Sequence, residues 1–593
     1  MTDHKFLVFR FGDTEVRERE FHLIKAGEAL QVEPKAFRVL LFLLRNSERL
    51  VTKEEILDAV WTDTAVSENS LTRSIATLRK LLGDDSREPR YIENVPRVGY
   101  RFLVEVEVAE DATSAPTAQQ VHTDYHSLAV LPFTNGTGPL EAEYLSEGIS
   151  ESIINLLSQF HDLRVVPRTS AFRYKGLDTE LKKVARDLNV DAVLTGSVMQ
   201  RGDKLIVQTE LVDVAYNAQL WGSQYNRKLD DIFDLQEELA RRIVESLRPR
   251  LAPEEEKFLA TRPTENREAY HIYLKAMYSA NQWTPEGIQK GIAYSTQAIA
   301  MDPLFARAYT GLAYLYSLVA TFGSVPPLQA FPIAKAAALR ALEIDDTLAT
   351  AHAALAYILL AFDWDWTGAD KESRRAIELA PNMPGGHYVR SQWCLAIGRS
   401  EEAIAEARRT LDLDPLSLPN YMNLAGTYHL LGQHDLAVEQ LLKAQELDPS
   451  FTPARQLLAL CYTFSGRYQE AMAEANEAAA RTRGAPRADI RVTGIAGVIN
   501  AASGRQDEAR QALMELAEYA KPPDFIGALD SSYIHALLGE KDQALEWLEK
   551  AYQGHANTMF YIKRRPMFAI LRDDPRFHSL LHRMGLPAHG ETS

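Results

Sequence analysis

Cysteine is nearly absent: Cys394 and Cys461 are the only two in 593 residues. They stand far apart in helical-repeat sequence, so no disulfide framework or Cys-rich metal site is encoded, and both read as small buried apolar residues. Long apolar runs are missing too. The longest candidates, such as Ala353 to Phe362, end in charged or aromatic-polar sequence, short of the ~18 residues of a membrane span. No signal peptide opens the chain, so a cytoplasmic protein with no membrane partner is expected.

Recognisable chemistry is equally scarce. Asn135-Gly136-Thr137-Gly138-Pro139 lacks the lysine and helix start of a phosphate-cradling loop and reads as a turn. His578 and His582 have the i, i+4 spacing of a metal pair, but no acidic residue between them completes a zinc-protease motif. Carboxylates lie mainly on repeat helices as solvated faces; Glu151 and Asp191, near strand ends, are surface residues or part of a ligand pocket. No catalytic residue, cofactor or metal ligand is assigned, and an enzyme is not expected. Excess positive charge is lacking as well. The net charge is -16, and residues 1 to 104 hold 17 basic against 17 acidic residues, so the whole negative balance lies in 105 to 593. That acidic part is not where a polyanion binds.

At about 150 residues per domain, the length implies three to four units. The informative stretch runs from Ser67 to Phe102. Leu71, Ile75, Leu78 and Leu82 recur at the spacing of one helix face, with Ser67 as N-cap, Glu68 complementing the dipole and Gly83 at the stop. The opposite face carries Asn69, Thr72, Arg73, Ala76, Thr77 and Lys80, flanked by Ser70 and Arg79. It is small, polar and basic. Ala and Thr allow close approach to a major groove, Asn and Arg pair with base edges, and Arg79 and Lys80 fall beside phosphates. Periodicity alone is equally compatible with an ordinary solvated face. Tyr91 to Val95 and Gly99 to Val104 then read as two strands, with Arg97 on the tip between them, a cation suited to a narrow minor groove.

Val51-Thr52-Lys53-Glu54-Glu55-Ile56-Leu57, Trp61, this helix, Leu78-Arg79-Lys80-Leu81-Leu82-Gly83-Asp84-Asp85 and the run from Pro89 to Phe102 together resemble the winged helix-turn-helix effector domain of OmpR-type regulators. The ToxR and CadC branch, with the module at the N-terminus, is the closer likeness. The resemblance covers residues 5 to 104 and implies that the second helix enters the major groove and the wing reaches the minor groove. It assigns Asn69, Thr72, Arg73, Thr77 and Lys80 to the first and Arg97 to the second. Segments in 5 to 33 fit the family's small N-terminal sheet. Pro34 to Leu44 reads as a helix with Phe37, Leu40, Leu41 and Leu44 inward.

From Glu105 to Asp124 no apolar period survives, and a flexible linker is expected. Residues 125 to 250 alternate strand and helix signals, a compact α/β domain. Leu131-Pro132-Phe133, Glu147-Gly148-Ile149, Tyr174-Lys175-Gly176, Leu194-Thr195-Gly196-Ser197-Val198 and Leu220-Trp221 resemble the TolB N-terminal-like domain, which settles no ligand or reaction. From residue 265 to 593 a repeat appears. Pro381, Pro415 and Pro449 follow second helices at a period of 34, with Pro303 and Asp345-Asp346 in corresponding places. Gly398, Gly432, Gly466, Gly504 and Gly539 mark the turns inside units, followed by Ala403, Ala437, Ala471, Ala509 and Ala544. This is the tetratricopeptide (TPR) signature, an all-α solenoid with a concave groove, and Asp574 to Pro587 reads as its cap. Asp363-Trp364-Asp365-Trp366 reads as an aromatic loop packing between repeats.

The expected protein is a multidomain transcription regulator: an α+β winged helix binding double-stranded DNA, with no receiver domain before it, so that input arrives through the α/β domain or the repeats. A protein partner in the groove and self-association on DNA are expected with it. The alternatives are a TPR scaffold whose winged helix makes protein contacts, and an enzyme, which rests only on the TolB-like block's occurrence beside cyclase-like proteins.

Overall fold

The computed structural model describes residues 7 to 586 except 18–21, 26–27, 31, 33, 48, 61–67, 97, 111–124, 137–142, 178, 216–217, 248–258, 260–261, 283, 322–324, 483–485 and 523–524. Two compact units result, Met1–Thr123 and Asp124–Ser593.

In the first unit, alternating apolar residues make β1 (Leu7–Phe11), β2 (Thr14–Arg17), β3 (His22–Lys25) and β4 (Glu28–Leu30). The helices α1 (Pro34–Arg45), α2 (Lys53–Val60) and α3 (Glu68–Leu82) follow, with β5 (Leu50–Thr52) between the first two. Next come β6 (Ile92–Val95), β7 (Gly99–Phe102) and β8 (Glu107–Glu110). The sheets have the orders β4-β3-β2-β1-β8 and β5-β7-β6. The expected inward residues Phe37, Leu40, Leu41, Leu44, Leu71, Ile75, Leu78 and Leu82 share one core with Phe9, Tyr91 and Phe102. Thr52 caps α2 reciprocally: its Oγ1 accepts from Glu55 N at 3.1 Å, and its N–H donates to Glu55 Oε2 at 2.7 Å, the capping-box arrangement. That backbone bond, with the Arg49 guanidinium, holds the Glu55 carboxyl below its ordinary range.

The linker does not begin at 105. Residues 107 to 110 pair antiparallel with β1, Arg10 opposite Glu107. The open edge of β1 carries N–H and C=O groups that need partners, and β8 supplies them. Its Val108 is 52% exposed, so no buried face gave the sequence an apolar period to read.

The second unit opens with β9 (Ser127–Val130), β10 (Thr134–Asn135), α4 (Glu143–Leu157), β11 (Arg164–Val165), α5 (Arg168–Ala171) and α6 (Leu181–Leu188). Then come β12 (Ala192–Arg201), β13 (Lys204–Asp213), β14 (Ala218–Lys228) and α7 (Ile232–Leu247). The sheet order is β11-β9-β12-β13-β14, parallel among the first three and antiparallel thereafter, with β10 also on β12. Gly196 explains one motif: a Cβ there would lie 2.6 Å from Gln208 O and 3.0 Å from the Phe133 ring.

Eight helix pairs follow among the described residues: α8 (Arg267–Ala280) with α9 (Pro285–Met301), α10 (Ala306–Thr321) with α11 (Pro327–Ile344), α12 (Ala349–Ile358) with α13 (Trp366–Leu379), and α14 (Pro384–Ile397) with α15 (Ser400–Leu413). The rest are α16 (Leu418–Leu430) with α17 (His434–Leu447), α18 (Thr452–Phe464) with α19 (Tyr468–Thr482), α20 (Pro486–Ala502) with α21 (Gln506–Tyr519), and α22 (Ala528–Leu537) with α23 (Lys541–Gln553). The five turn glycines all have positive φ, and the five alanines after them are fully buried at the helix crossings. Two 3-10 turns, Met559–Arg564 and Pro566–Leu571, lead to α24 (Pro575–Arg583).

This C-terminal segment does more than close the last pair. Met559, Phe560, Ile562, Met567, Phe568 and Leu571 lie in one core cluster with residues of α10 to α14 and α20 to α23. The aromatic loop meets it as well as neighbouring repeats, with Trp393 Nε1 of α14 donating to Trp366 O at 2.8 Å and Lys335 of α11 pairing with Asp363 at 2.8 Å. The Trp364 and His555 rings stack with centroids 4.6 Å apart, and Trp366 Nε1 donates to Met584 O at 2.6 Å.

The α/β block and the repeats pack together instead of standing apart. At one contact Tyr270 of α8 sits between Ser152 Oγ, 2.7 Å away, and Gln236 Oε1, to which its hydroxyl donates at 2.9 Å. At another, Ser170 Oγ donates to Asp414 and accepts from Leu416 N at 2.7 Å, while Arg173 donates to Leu416 O at 2.8 Å and Leu447 O at 3.2 Å.

Asp414 is 3% exposed, and burial pushes its pKa up to about 6 against the hydrogen bond from Ser170. An unfolded aspartate titrates near about 3.9, so between those values the native state holds a proton the unfolded chain has lost. This contact therefore loses stability as pH rises from about 4 to 6. Asp414→Asn is expected to remove that slope and to gain about 2–3 kcal/mol at pH 7 over wild type. Urea denaturation at pH 4, 5, 6 and 7 checks it; parallel profiles for the two proteins would refute it.

Candidate nucleic-acid interface

The α3 helix divides into two faces. Leu71, Ser74, Ile75, Leu78 and Leu82 are buried, whereas Thr72, Arg73, Ala76 and Lys80 are exposed and Thr77 is half-buried. Among the described residues neither Arg73 nor Lys80 makes an ion pair, so both charges are available to a ligand. Asn69 and Ser70 lie on the first turn of the same helix, their side chains outside the described residues, as are Ser67, Trp61 and Arg97.

Arg79 differs from the other candidates. Its Nη2 donates to Ile92 O at 2.9 Å and its Nε lies 4.0 Å from Asp84 Oδ2, so the guanidinium joins the helix to the wing. Asp84 completes the joint. Its fully buried side chain accepts from Arg90 N at 2.6 Å, Tyr91 N at 3.1 Å and Ile92 N at 2.9 Å. The acidic turn thus positions β6, a role that spacing did not reveal because its partners lie six to eight residues on. At the other end of the wing, Val98 N donates to Val95 O at 3.1 Å and Lys53 N to Val98 O at 3.2 Å, so the tip is tied back to the start of α2. Pro96 and Val98, which flank Arg97, are both exposed. The result is a basic, acid-free helix face and a protruding tip held in a fixed mutual orientation, which suits adjacent grooves of a duplex.

The other carboxylates singled out from sequence do not join in one site. Glu151 pairs with Arg168 at 3.0 Å, while Asp191 accepts from His126 N at 3.0 Å and Ser127 Oγ at 2.7 Å. His578 Nε2 lies against Arg572 O. Among the described residues, no group of three or more His, Cys, Asp or Glu side chains could hold a metal ion.

A winged helix ahead of an α/β block and TPR repeats is the architecture of a DNA-binding transcription regulator, and comparison with known proteins agrees. Residues 27–102 match the model of the transcriptional regulatory protein C-terminal domain, 123–242 that of the second domain of HilA/YgeH-like transcriptional regulators, and 418–451 the tetratricopeptide repeat. The block that resembles TolB in sequence is thus matched by a regulator's own second domain. The transcriptional regulator HilA of Salmonella typhi is 28% identical over 396 residues, 66% of this chain and 68% of that protein. A putative adenylate cyclase 3 of Rhizobium meliloti is 31% identical over 289 residues, 47% of this chain and 42% of that protein, so this chain spans less than half the cyclase's length. The DNA-binding domain of Escherichia coli CadC is 33% identical, with a TM-score of 0.16, covering 17% of this chain and 94% of that domain.

Proposed function

We propose that α3 reads promoter DNA in the major groove through Asn69, Ser70, Thr72, Arg73, Ala76, Thr77 and Lys80, with Arg97 entering the adjoining minor groove and Arg79 fixing the wing. The observation that carries this reading is the exposed, acid-free face around Arg73, Ala76 and Lys80, locked to the wing by Asp84. The first unit has no basic excess, so one copy binds modestly, and self-association at paired half-sites supplies the remaining affinity. The repeats serve as a partner-binding or input module. No enzymatic activity is assigned: the HilA match extends over 66% of the chain, against 47% for the cyclase. No described helix is long and apolar enough to cross a membrane, which supports a cytoplasmic regulator.

Selection of bound sequences from a random duplex pool by the full chain is expected to recover a direct or inverted repeat. Arg73→Ala with Arg97→Ala is expected to weaken the selected site roughly tenfold to hundredfold at fixed salt. Fluorescence anisotropy with labelled duplex measures it, and equal affinity of variant and wild type would overturn the assignment.

A further inference from the structure

At the N-terminal ends of the parallel strands β9, β11 and β12, the α/β block faces the repeats across a cleft of about 380 Å³. This is the end of the sheet away from α5 and its contact with Asp414. Arg164 enters the cleft from the block and Arg409 from α15. Arg164 Nη2 closes the carbonyl end of α6, donating to Leu188 O at 3.2 Å and to Asn189 O, but its buried Nη1 has no hydrogen-bond partner among the described residues. Arg409 is exposed and, among the described residues, donates only through Nη2, to Asn382 Oδ1 at 3.1 Å; Asn382 Nδ2 passes the link on to His161 O at 2.7 Å.

Neither guanidinium makes an ion pair among the described residues. Of the two carboxylates lining the cleft, Asp191 is engaged by His126 N and Ser127 Oγ, and Asp162 is exposed with contacts of its own. Burial draws the Arg164 pKa down and the like charge of Arg409 adds to it, while the carboxylates of Asp191 and Asp412 oppose the shift. Two cations thus line the cleft beside the two carboxylates, and among the described residues one buried N–H is left unspent, an arrangement that costs free energy unless an acceptor arrives.

We propose that this cleft binds the oxyanion group, phosphate or carboxylate, of a small metabolite between Arg164 and Arg409, across the junction of the α/β block and the repeats. Guanidinium forks offer paired donors to such groups. A ligand held by both arginines fastens the block to the repeats, which makes the cleft an input site whether or not the DNA reading holds.

The test is isothermal titration of the full chain with inorganic phosphate and, separately, citrate, each at an ionic strength matched with sodium chloride. Saturable one-to-one binding of at least one is expected, phosphate alone marking a phosphorylated ligand and citrate alone a carboxylate. Arg409→Gln keeps an amide donor for Asn382 and removes the charge; it is expected to weaken binding roughly tenfold or more. His126→Glu, an exposed substitution that puts an anion at the cleft, is expected to weaken it as well. No saturable binding of either anion, or wild-type affinity in Arg409→Gln or in a natively folded His126→Glu, overturns the proposal.

Discussion

Gly99→Ala is expected to unfold the winged helix while leaving the rest of the chain intact. Gly99 is the first residue of β7, paired with Val95 on one side and Thr52 on the other. A Cβ there would fall 1.9 Å from Val51 O and 2.8 Å from Thr52 Cα. Both obstacles are backbone, so no side-chain rotation relieves them, and β5 must separate from β7. Overpacking ordinarily costs about 1–3 kcal/mol. A backbone clash at the centre of a three-stranded sheet belongs at or above the top of that range, against a total of only about 5–15 kcal/mol for a domain of this size. Calorimetry of the full chain should show the transition of the first unit lowered or lost and that of residues 124 to 593 unmoved. Duplex binding should vanish with it, because the same sheet carries the wing. Wild-type melting of both units would refute the argument.

Phe568→Ala is the second large effect. Its ring is 1% exposed, 5.1 Å from the Tyr533 centroid and 5.9 Å from that of Phe577. Removing a fully buried phenylalanine costs about 3–5 kcal/mol, transfer and cavity together. A cap that merely covered α23 would lose far less, since its inner face would be one-sided. Here the segment shares a core with helices more than two hundred residues earlier, so the loss should reach α10 to α14 as well. Hydrogen exchange reads this directly: faster exchange in α12 and α14 as well as in α22 is expected, whereas protection lost only after residue 540 would show that the segment is a local cap.

Much of this was legible before any coordinates. In α3 the leucines and isoleucine at helical spacing could be buried only on one side, which left Thr72, Arg73, Ala76 and Lys80 outside. The 34-residue period gave the helix pairs, and the glycines and alanines fell where turns and crossings required them. These are local rules, in which each residue's neighbours along the chain are also its neighbours in the element. β8 was missed for the complementary reason, since an edge strand held by backbone pairing leaves no apolar alternation. The tie of Arg79 to the wing was not legible because that residue lies beside the exposed face in sequence, while its partners, Ile92 O and Asp84, belong to the wing and the turn.

By itself the sequence determined the winged helix, the order of elements in the α/β block and the repeat array, because helix faces, turns and periods are set by residues within a few positions of one another. Tertiary structure alone decided that the block and the repeats pack as one unit, that the C-terminal segment lies against α10 to α14, and that Arg164 meets Arg409 across a cleft. Those contacts join residues some two hundred positions apart. Which of many similar surfaces meet is fixed by the curvature of the whole array, accumulated repeat by repeat, and no local pattern records that sum.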